Sequence, residues 1–140
     1  AKLATLAETF HTVGGLNSGQ DYYFQIGIRD KNGNYSPLSN EISVFTGPAK
    51  ITNLKTIGRD GFVDISWSVP FQNSCIGFNI YRRTDGTDFE MIDGWETNPD
   101  LIGQDEDDLI YATVDSNVQN GETYIYQVAS EDFTGQQYFY

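Results

Sequence analysis

The sequence LNSGQDYYFQI, residues 16–26, recurs in altered form as VQNGETYIYQV, residues 118–128, at an offset of 102 positions. The comparison runs on into the next turn, and five aligned positions hold identical residues: Gly19/Gly121, Tyr22/Tyr124, Gln25/Gln127, Asp30/Asp132 and Gly33/Gly135. A fixed offset with apolar positions matched to apolar positions is typical of an internal repeat. The sequence therefore predicts that the chain contains one structural unit twice.

The repeated unit has the pattern of a strand followed by a turn. Residues 22–28 and 124–128 place large apolar side chains at every second position, as a half-buried strand requires. Residues 30–34 and 132–135 then supply Asp, Asn and Gly, which tolerate positive φ. After the first turn, residues 42–46 form a further short alternating strand. This pattern predicts β-hairpins in both copies.

The segment between the two copies also predicts strands. Candidate strands lie at residues 51–57, 62–69, 76–83 and 110–114, and the second of them places Val63, Ile65, Trp67 and Val69 on one face. We expect Pro70 to end that strand and residues 84–108 to be irregular, since they contain Gly86, Gly94, Pro99 and Gly103. No segment keeps a helical period. The fold class predicted is an all-β antiparallel sandwich or barrel.

The domain boundary is predicted at Gly47-Pro48, which interrupts the strand pattern. Residues 1–46 would then be the C-terminal part of one module, and residues 47–140 a second, nearly complete module. The offset places the first module's start at 47 − 102 = −55, so we expect roughly 55 of its residues to precede residue 1. The last strand of the second module would be residues 136–140 or would continue beyond them.

The motifs of the second module resemble those of bacterial fibronectin type III modules. They are Ile51 and Leu54 in the first strand, Trp67 in the second, GFNIYR at residues 77–82, and VxxGxxY at residues 118–124. The first module carries the matching LxxGxxY at residues 16–22, followed by SPLS at residues 36–39. The resemblance implies an immunoglobulin-like sandwich of seven strands in which Tyr22 and Tyr124 form tyrosine corners. It also implies a spacer, scaffold or recognition role in a secreted or cell-surface protein. The long stretch from Asp85 to Asp108 departs from the family pattern.

The charge of the chain argues against several classes of partner. Its 20 acidic and 8 basic residues give a net charge of −12, which repels the phosphates of nucleic acids and of anionic membranes. No stretch approaches the roughly 20 apolar residues that span a bilayer. We therefore expect no nucleic-acid partner and no membrane insertion.

His11 and Cys75 are the only residues of their types. His11 lacks neighbouring zinc ligands, so we expect an ordinary histidine in or beside a strand. Cys75 cannot form an internal disulfide and has no histidine nearby in sequence, so we expect an inert, buried thiol. Neither residue predicts a catalytic, cofactor-binding or metal site.

Two acidic segments raise the question of calcium binding. Asp30, Asn32 and Asn34 are spaced like the oxygen ligands of a calcium loop, with Glu41 at the twelfth position. Tyr35 stands where such a loop needs glycine, so a hairpin turn is the preferred interpretation. The run Asp105-Glu106-Asp107-Asp108 is interpreted as a solvated loop.

Trp95 lies in the stretch predicted to be irregular. An exposed loop tryptophan could stack on a sugar or anchor a partner, but it could equally plug the open end of the sandwich. We expect the plug, since large aromatic side chains bury most of their area.

The sequence thus predicts a non-catalytic, extracellular or cell-surface spacer, scaffold or interaction module, without cofactors, that contacts other domains of its own protein or neighbouring copies. One alternative is a subunit of a surface fibre or adhesive assembly joined by β-strand addition at exposed edges. A third hypothesis is an accessory carbohydrate-binding module of a secreted hydrolase.

Overall fold

The computed structural model describes residues 10–104 and 106–140. The chain divides after Thr46 into two compact units, Ala1–Thr46 and Gly47–Tyr140. Each unit is described by itself below. No helix in the described part of the chain is long and apolar enough to cross a membrane.

In the described part of the first unit, two strands form an antiparallel hairpin. Strand β1 (Asp21–Phe24) pairs with β2 (Ile42–Phe45) so that Tyr22 lies opposite Val44. The strand predicted at residues 22–28 is regular only as far as Phe24. Beyond that point the backbone N–H groups of Ile26 and Ile28 donate to the hydroxyls of Ser39 and Ser36, each at 2.9 Å. Serine hydroxyls thus take the place of backbone acceptors opposite this half of the predicted strand.

The second unit contains seven strands in two sheets. They are β3 (Ala49–Arg59), β4 (Phe62–Gln72), β5 (Cys75–Thr84), β6 (Glu90–Gly94), β7 (Leu109–Asp115), β8 (Tyr124–Asp132) and β9 (Gln137–Phe139). One sheet has the order β3-β4-β7 and the other β6-β5-β8-β9, and every neighbouring pair is antiparallel. The all-β, immunoglobulin-like sandwich predicted from the sequence is confirmed.

The core of the second unit forms around three aromatic rings. Trp67 stacks on Tyr111 with ring centroids 5.8 Å apart, and Phe78 meets Trp67 edge-on at 5.6 Å. Trp67 and Tyr111 belong to the three-stranded sheet, whereas Phe78 belongs to the four-stranded sheet. Val63, Ile65, Trp67 and Val69 share one face of β4 as predicted, and the last three are fully buried.

Three expectations from the sequence are wrong. Pro70 does not end β4, which continues to Gln72: the pairing with β3 shifts register near this point and the pairing with β7 stops at Val69. A proline is tolerated at such an irregularity because no ladder hydrogen bond needs its missing N–H. Residues 84–108 are not wholly irregular, since they contain β6 and a 3₁₀ turn at Pro99–Leu101. His11 is exposed in a stretch without strand structure.

The two copies of the repeated sequence have the same local geometry. Tyr22 accepts a hydrogen bond at its hydroxyl from the backbone N–H of Asn17, and Tyr124 does so from Gln119, each at 2.9 Å. In both pairs the tyrosine lies five positions after the donor residue, as is typical of a tyrosine corner. Gly19 and Gly121 have positive φ values of 74° and 89° just before each tyrosine.

The turns that follow are also alike. In each, one carboxylate oxygen of the aspartate accepts backbone N–H groups two and four residues on: Asn32 and Asn34 bond Asp30, and Thr134 and Gln136 bond Asp132. Gly33 and Gly135 occupy the position with positive φ in these turns.

Candidate functional site

The candidate site is the outer face of the four-stranded sheet, the side that points away from the three-stranded sheet. Phe78 and Ile80 of β5 point into the core, so the alternation of the strand places Gly77, Asn79 and Tyr81 on this outer face. Cross-strand register brings further side chains beside them, because Gly77 pairs with Glu131 of β8 and Glu131 with Gln137 of β9. The outer face thereby assembles residues from three strands.

Trp95 lies over Gly77 at one end of this face. Its backbone N–H donates to the carbonyl of Phe78 at 3.0 Å, and its indole Nε1 donates to Glu131 Oε2 at 3.3 Å. A side chain on residue 77 would collide with Cβ and Cγ of Trp95, so only glycine leaves room for the indole here. Trp95 packs against the core cluster but is only half-buried. The structure thus gives Trp95 a packing role and leaves the residue partly exposed.

Glu131 is the centre of a polar cluster on the outer face. Its Oε2 atom accepts hydrogen bonds from Asn79 Nδ2 at 2.7 Å, Gln137 Nε2 at 3.0 Å and the indole of Trp95. Asn79 is only 3% exposed, beneath Gly94, so its amide is held in place. Three donors on one oxygen fix the orientation of the carboxylate. Within the described residues, no donor engages its other oxygen, Oε1.

An aromatic pair closes the other end of the outer face. The rings of Tyr81 and Phe139 lie 5.3 Å apart, and the hydroxyl of Tyr81 donates to Gln137 Oε1 at 2.7 Å. Phe139 is 52% exposed. From one end to the other, the face therefore presents three features. They are the indole of Trp95, the carboxylate of Glu131 with the amide of Asn79, and the aromatic pair.

Cys75 is a buried thiol. It is 6% exposed, and its Sγ lies 3.5 Å from the carbonyl of Gly77. Burial raises the pKa of Cys75 to about 11, which keeps the thiol protonated near neutral pH. A protonated, enclosed thiol is a poor nucleophile. His11 lies in the other unit, and nothing in the described residues orients a base toward Cys75.

The calcium-like sequence at residues 30–41 forms the hairpin turn that was preferred from the sequence. Asp30 Oδ1 accepts two backbone N–H groups, and Oδ2 accepts the side-chain amide of Asn34 at 2.9 Å. These hydrogen bonds lower the pKa of Asp30 below its ordinary value, and the bond from the Asn34 side chain has the largest effect. The Asn34 amide thus presents a donor to the carboxylate rather than an oxygen ligand to a cation.

The second acidic segment is residues 105–108. Asp105 lies outside the described residues, and residues 106–108 are exposed. Among the described residues, no cluster of three or more His, Cys, Asp or Glu side chains could hold a metal ion.

A polar cavity of about 370 Å³ opens between β6 and β7. Arg82 donates to Asp115 Oδ2 at 2.8 Å and to the carbonyl of Asn117. Tyr126 donates to the same carboxylate at 2.9 Å, and burial together with this hydrogen bond raises the pKa of Tyr126. Since these groups are bonded to one another, the cavity offers a stabilised ion pair rather than a free nucleophile and base.

Sequence reasoning considered Trp95 but missed the polar cluster beneath it. The cluster depends on register, because Gly77 lies in β5, far in sequence from the β8–β9 hairpin that carries Glu131 and Gln137. One signal was available: a glycine at position 77 inside an otherwise apolar strand indicates close approach by another group. That group is the indole of Trp95.

Comparison with known proteins finds similarity to small parts of longer enzymes. No family model matches the chain. The chain is 35% identical over 91 residues to an amylopullulanase of Thermoanaerobacter thermohydrosulfuricus, and the match covers 64% of this chain but 5% of that protein. It is 32% identical over 96 residues to chitinase A1 of Niallia circulans, with 60% of this chain and 14% of that protein covered. These likenesses support a domain of a secreted protein.

Proposed function

We propose that this chain is a non-catalytic accessory module of a secreted multidomain protein, and that it spaces or supports neighbouring domains outside the cell. One observation carries the proposal: the chain, which contains a sandwich of seven strands, matches only 5% and 14% of two much longer enzymes. A segment that matches so small a share of an enzyme is more typical of an accessory module than of the catalytic domain.

The site chemistry supports a non-catalytic role. Cys75 is enclosed and protonated, and the ionised groups around Asp115 are bonded to one another. A nucleophile needs an adjacent base that is itself oriented, and the described residues do not bring such a set together.

We also propose that the module is of the fibronectin type III kind. The division into a three-stranded and a four-stranded sheet supports this assignment, as do the tyrosine corners at Tyr22 and Tyr124. The first unit would then be the C-terminal portion of a second such module. The matched hydrogen bonds at an offset of 102 residues support that interpretation.

The spacer role can be tested by placing the whole chain between a donor and an acceptor fluorescent protein. A flexible Gly/Ser linker of equal length would have a root-mean-square span of about 65 Å with a broad distribution. We expect the folded chain to give a narrower distance distribution by time-resolved energy transfer, and to resist a protease that cuts the Gly/Ser control. A distribution as broad as the control's would contradict the proposal.

The catalytic alternative is tested separately with the purified chain and pullulan, starch and chitin. We expect no reducing ends above those released in buffer. Reducing ends formed in proportion to added protein would show that the chain is an enzyme.

A second candidate function, assembly with a neighbouring domain or copy, is favoured by the first unit. Its apolar side chains are largely exposed: Ile26 68%, Ile28 70%, Leu38 62%, Ile42 59% and Val44 43%. At the offset of 102, Ile26 and Ile28 correspond to Val128 and Ser130, which are fully buried by the second unit's own sandwich. Exposed apolar side chains concentrated in one small unit mark an interaction surface. The fitting partner is another β-sheet with an apolar face.

Light scattering with size-exclusion chromatography tests this assembly. The monomer has a mass of 15.7 kDa, and we expect a larger species at high concentration. Ile26→Lys with Ile28→Lys should restore the monomer, whereas Ile110→Lys, at an exposed position on β7, should not. A wild-type chain that stays monomeric at millimolar concentration would contradict the assembly.

A further inference from the structure

We propose that the outer face of the four-stranded sheet binds a neutral polysaccharide chain, with Trp95 and the Tyr81–Phe139 pair as stacking surfaces and Glu131 between them as a hydrogen-bond acceptor. This inference deepens the proposed function, on which it rests, by giving the accessory module a ligand.

The aromatic rings of the outer face are spaced along the direction of β5. Trp95 covers Gly77, and Tyr81 lies four residues further along the same strand, which corresponds to roughly 13 Å at about 3.3 Å per residue. The negative faces of such rings attract the weakly positive C–H groups on the flat side of a pyranose ring. Two aromatic surfaces at this separation can contact different sugars of one chain.

The polar groups between the rings are held in one orientation. Glu131 Oε2 is held by three donors, one of them the buried Asn79, while Oε1 is not engaged by any donor in the described residues. An oriented carboxylate oxygen with free lone pairs accepts a sugar hydroxyl without further ordering of the protein. Such preorganisation is what a ligand rich in hydroxyl donors requires.

The charge of the chain distinguishes between neutral and acidic polysaccharides as ligands. The chain carries a net charge of −12, and the carboxylate of Glu131 stands at the centre of the face. Acidic polysaccharides would be repelled by both the net charge and this carboxylate. The chemistry therefore fits uncharged pyranose chains, whether α-linked glucans or acetylated amino-sugar polymers.

Affinity electrophoresis of the intact chain in gels containing pullulan, soluble glycol chitin or alginate tests this inference. We expect retardation by pullulan or glycol chitin, which distinguishes the two neutral chemistries, and none by alginate. Phe139→Ala and Trp95→Ala should each weaken the binding by about tenfold or more, as the loss of a central aromatic contact does. The matched control is Phe133→Ala, since Phe133 is 72% exposed on the β8–β9 hairpin but lies off this face.

A measurement on the wild-type chain keeps the test valid if Trp95→Ala fails to fold. Titration with maltotriose or chitotriose, followed by ¹H–¹⁵N NMR, should shift the indole N–H of Trp95 and the side-chain amide of Gln137 ahead of other signals. The inference is overturned if neither of the neutral polymers binds, or if all variants bind equally. The spacer experiment does not involve these residues, so a failure of polysaccharide binding can be distinguished from a failure of the proposed function.

Discussion

At the scale of single residues, Trp67 illustrates how the sequence determines the core. It is 1% exposed, and its indole Nε1 is buried without a hydrogen-bond partner in the described structure. A buried N–H without a partner is costly, and the area that the ring buries against Phe78 and Tyr111 offsets that cost.

Replacement of Trp67 by alanine should lower the free energy of unfolding by about 3–5 kcal/mol, because it removes a large core side chain and leaves a cavity. Urea unfolding followed by circular dichroism measures the change. Phe62→Ala is the control on the same strand, at a position 36% exposed, and should cost less than about 1 kcal/mol. A similarly small cost for Trp67→Ala would show that Trp67 lies outside the core.

Cys75 provides a second prediction at this scale. The thiol is buried and its pKa is raised to about 11, so the native chain should react with a disulfide reagent at pH 8 far more slowly than the urea-unfolded chain. The rate of thionitrobenzoate release measures this difference. Native protein that reacts as fast as the unfolded control would place the thiol at the surface.

The turn aspartates predict a dependence on acid pH. Hydrogen bonds to Asp30 and Asp132, led by those from the side chains of Asn34 and Thr134, lower both pKa values below the ordinary 3.8. A carboxyl whose pKa is lowered on folding stabilises the fold at any pH above its pKa in the unfolded chain. That contribution is lost as the pH falls through its pKa in the folded chain. Carboxyl ¹³C titrations should give midpoints below 3.8 for both residues. A midpoint at or above 3.8 for either would contradict the turn geometry.

At the scale of elements, the tyrosine corner is the feature that both copies share. Tyr124→Phe removes the hydroxyl that accepts the N–H of Gln119, so it should destabilise the second unit by about 0.5–1.5 kcal/mol. Thermal or urea unfolding measures the loss. Tyr138→Phe, which also removes a phenol hydroxyl from this unit, is a useful comparison because its bond to Asp132 is longer, at 3.3 Å. An unchanged stability in Tyr124→Phe would show that the corner contributes nothing.

The strands that alternate regularly were predictable from sequence, because period-two burial leaves a direct pattern. Residues 62–69 show this clearly, since β4 buries Ile65, Trp67 and Val69 as expected. Strand β6 was not predictable. It has five residues, the buried Gly94 packs against Asn79, and its apolar residues Met91 and Ile92 are adjacent rather than alternating. Its pairing with β5 is decided by tertiary contacts, which propensity does not encode.

The candidate site was less predictable than the fold. Trp95 can occupy its position because Gly77 of β5 leaves room for the indole. The register of β5, β8 and β9 places the carboxylate of Glu131 beside it. Register between strands distant in sequence is set by the packed core rather than by a local motif. The sequence therefore indicated an aromatic candidate but not its polar partners.

At the scale of the whole molecule, the two units differ in how much of their apolar surface they cover. The second unit buries a core that includes Trp67, Phe78 and Tyr111, whereas the first leaves residues such as Ile26 and Ile28 exposed. A strongly negative charge favours solubility despite this exposed surface.

The central claim is that residues 47–140 fold as two facing β-sheets around a shared aromatic core, and a nuclear Overhauser experiment tests it most directly. Phe78 lies in the four-stranded sheet, and its ring centroid is 5.6 Å from that of Trp67 in the three-stranded sheet. We predict strong cross-peaks between the ring protons of these two residues. Their absence in the folded chain, at a temperature where both rings are well resolved, would contradict the sandwich.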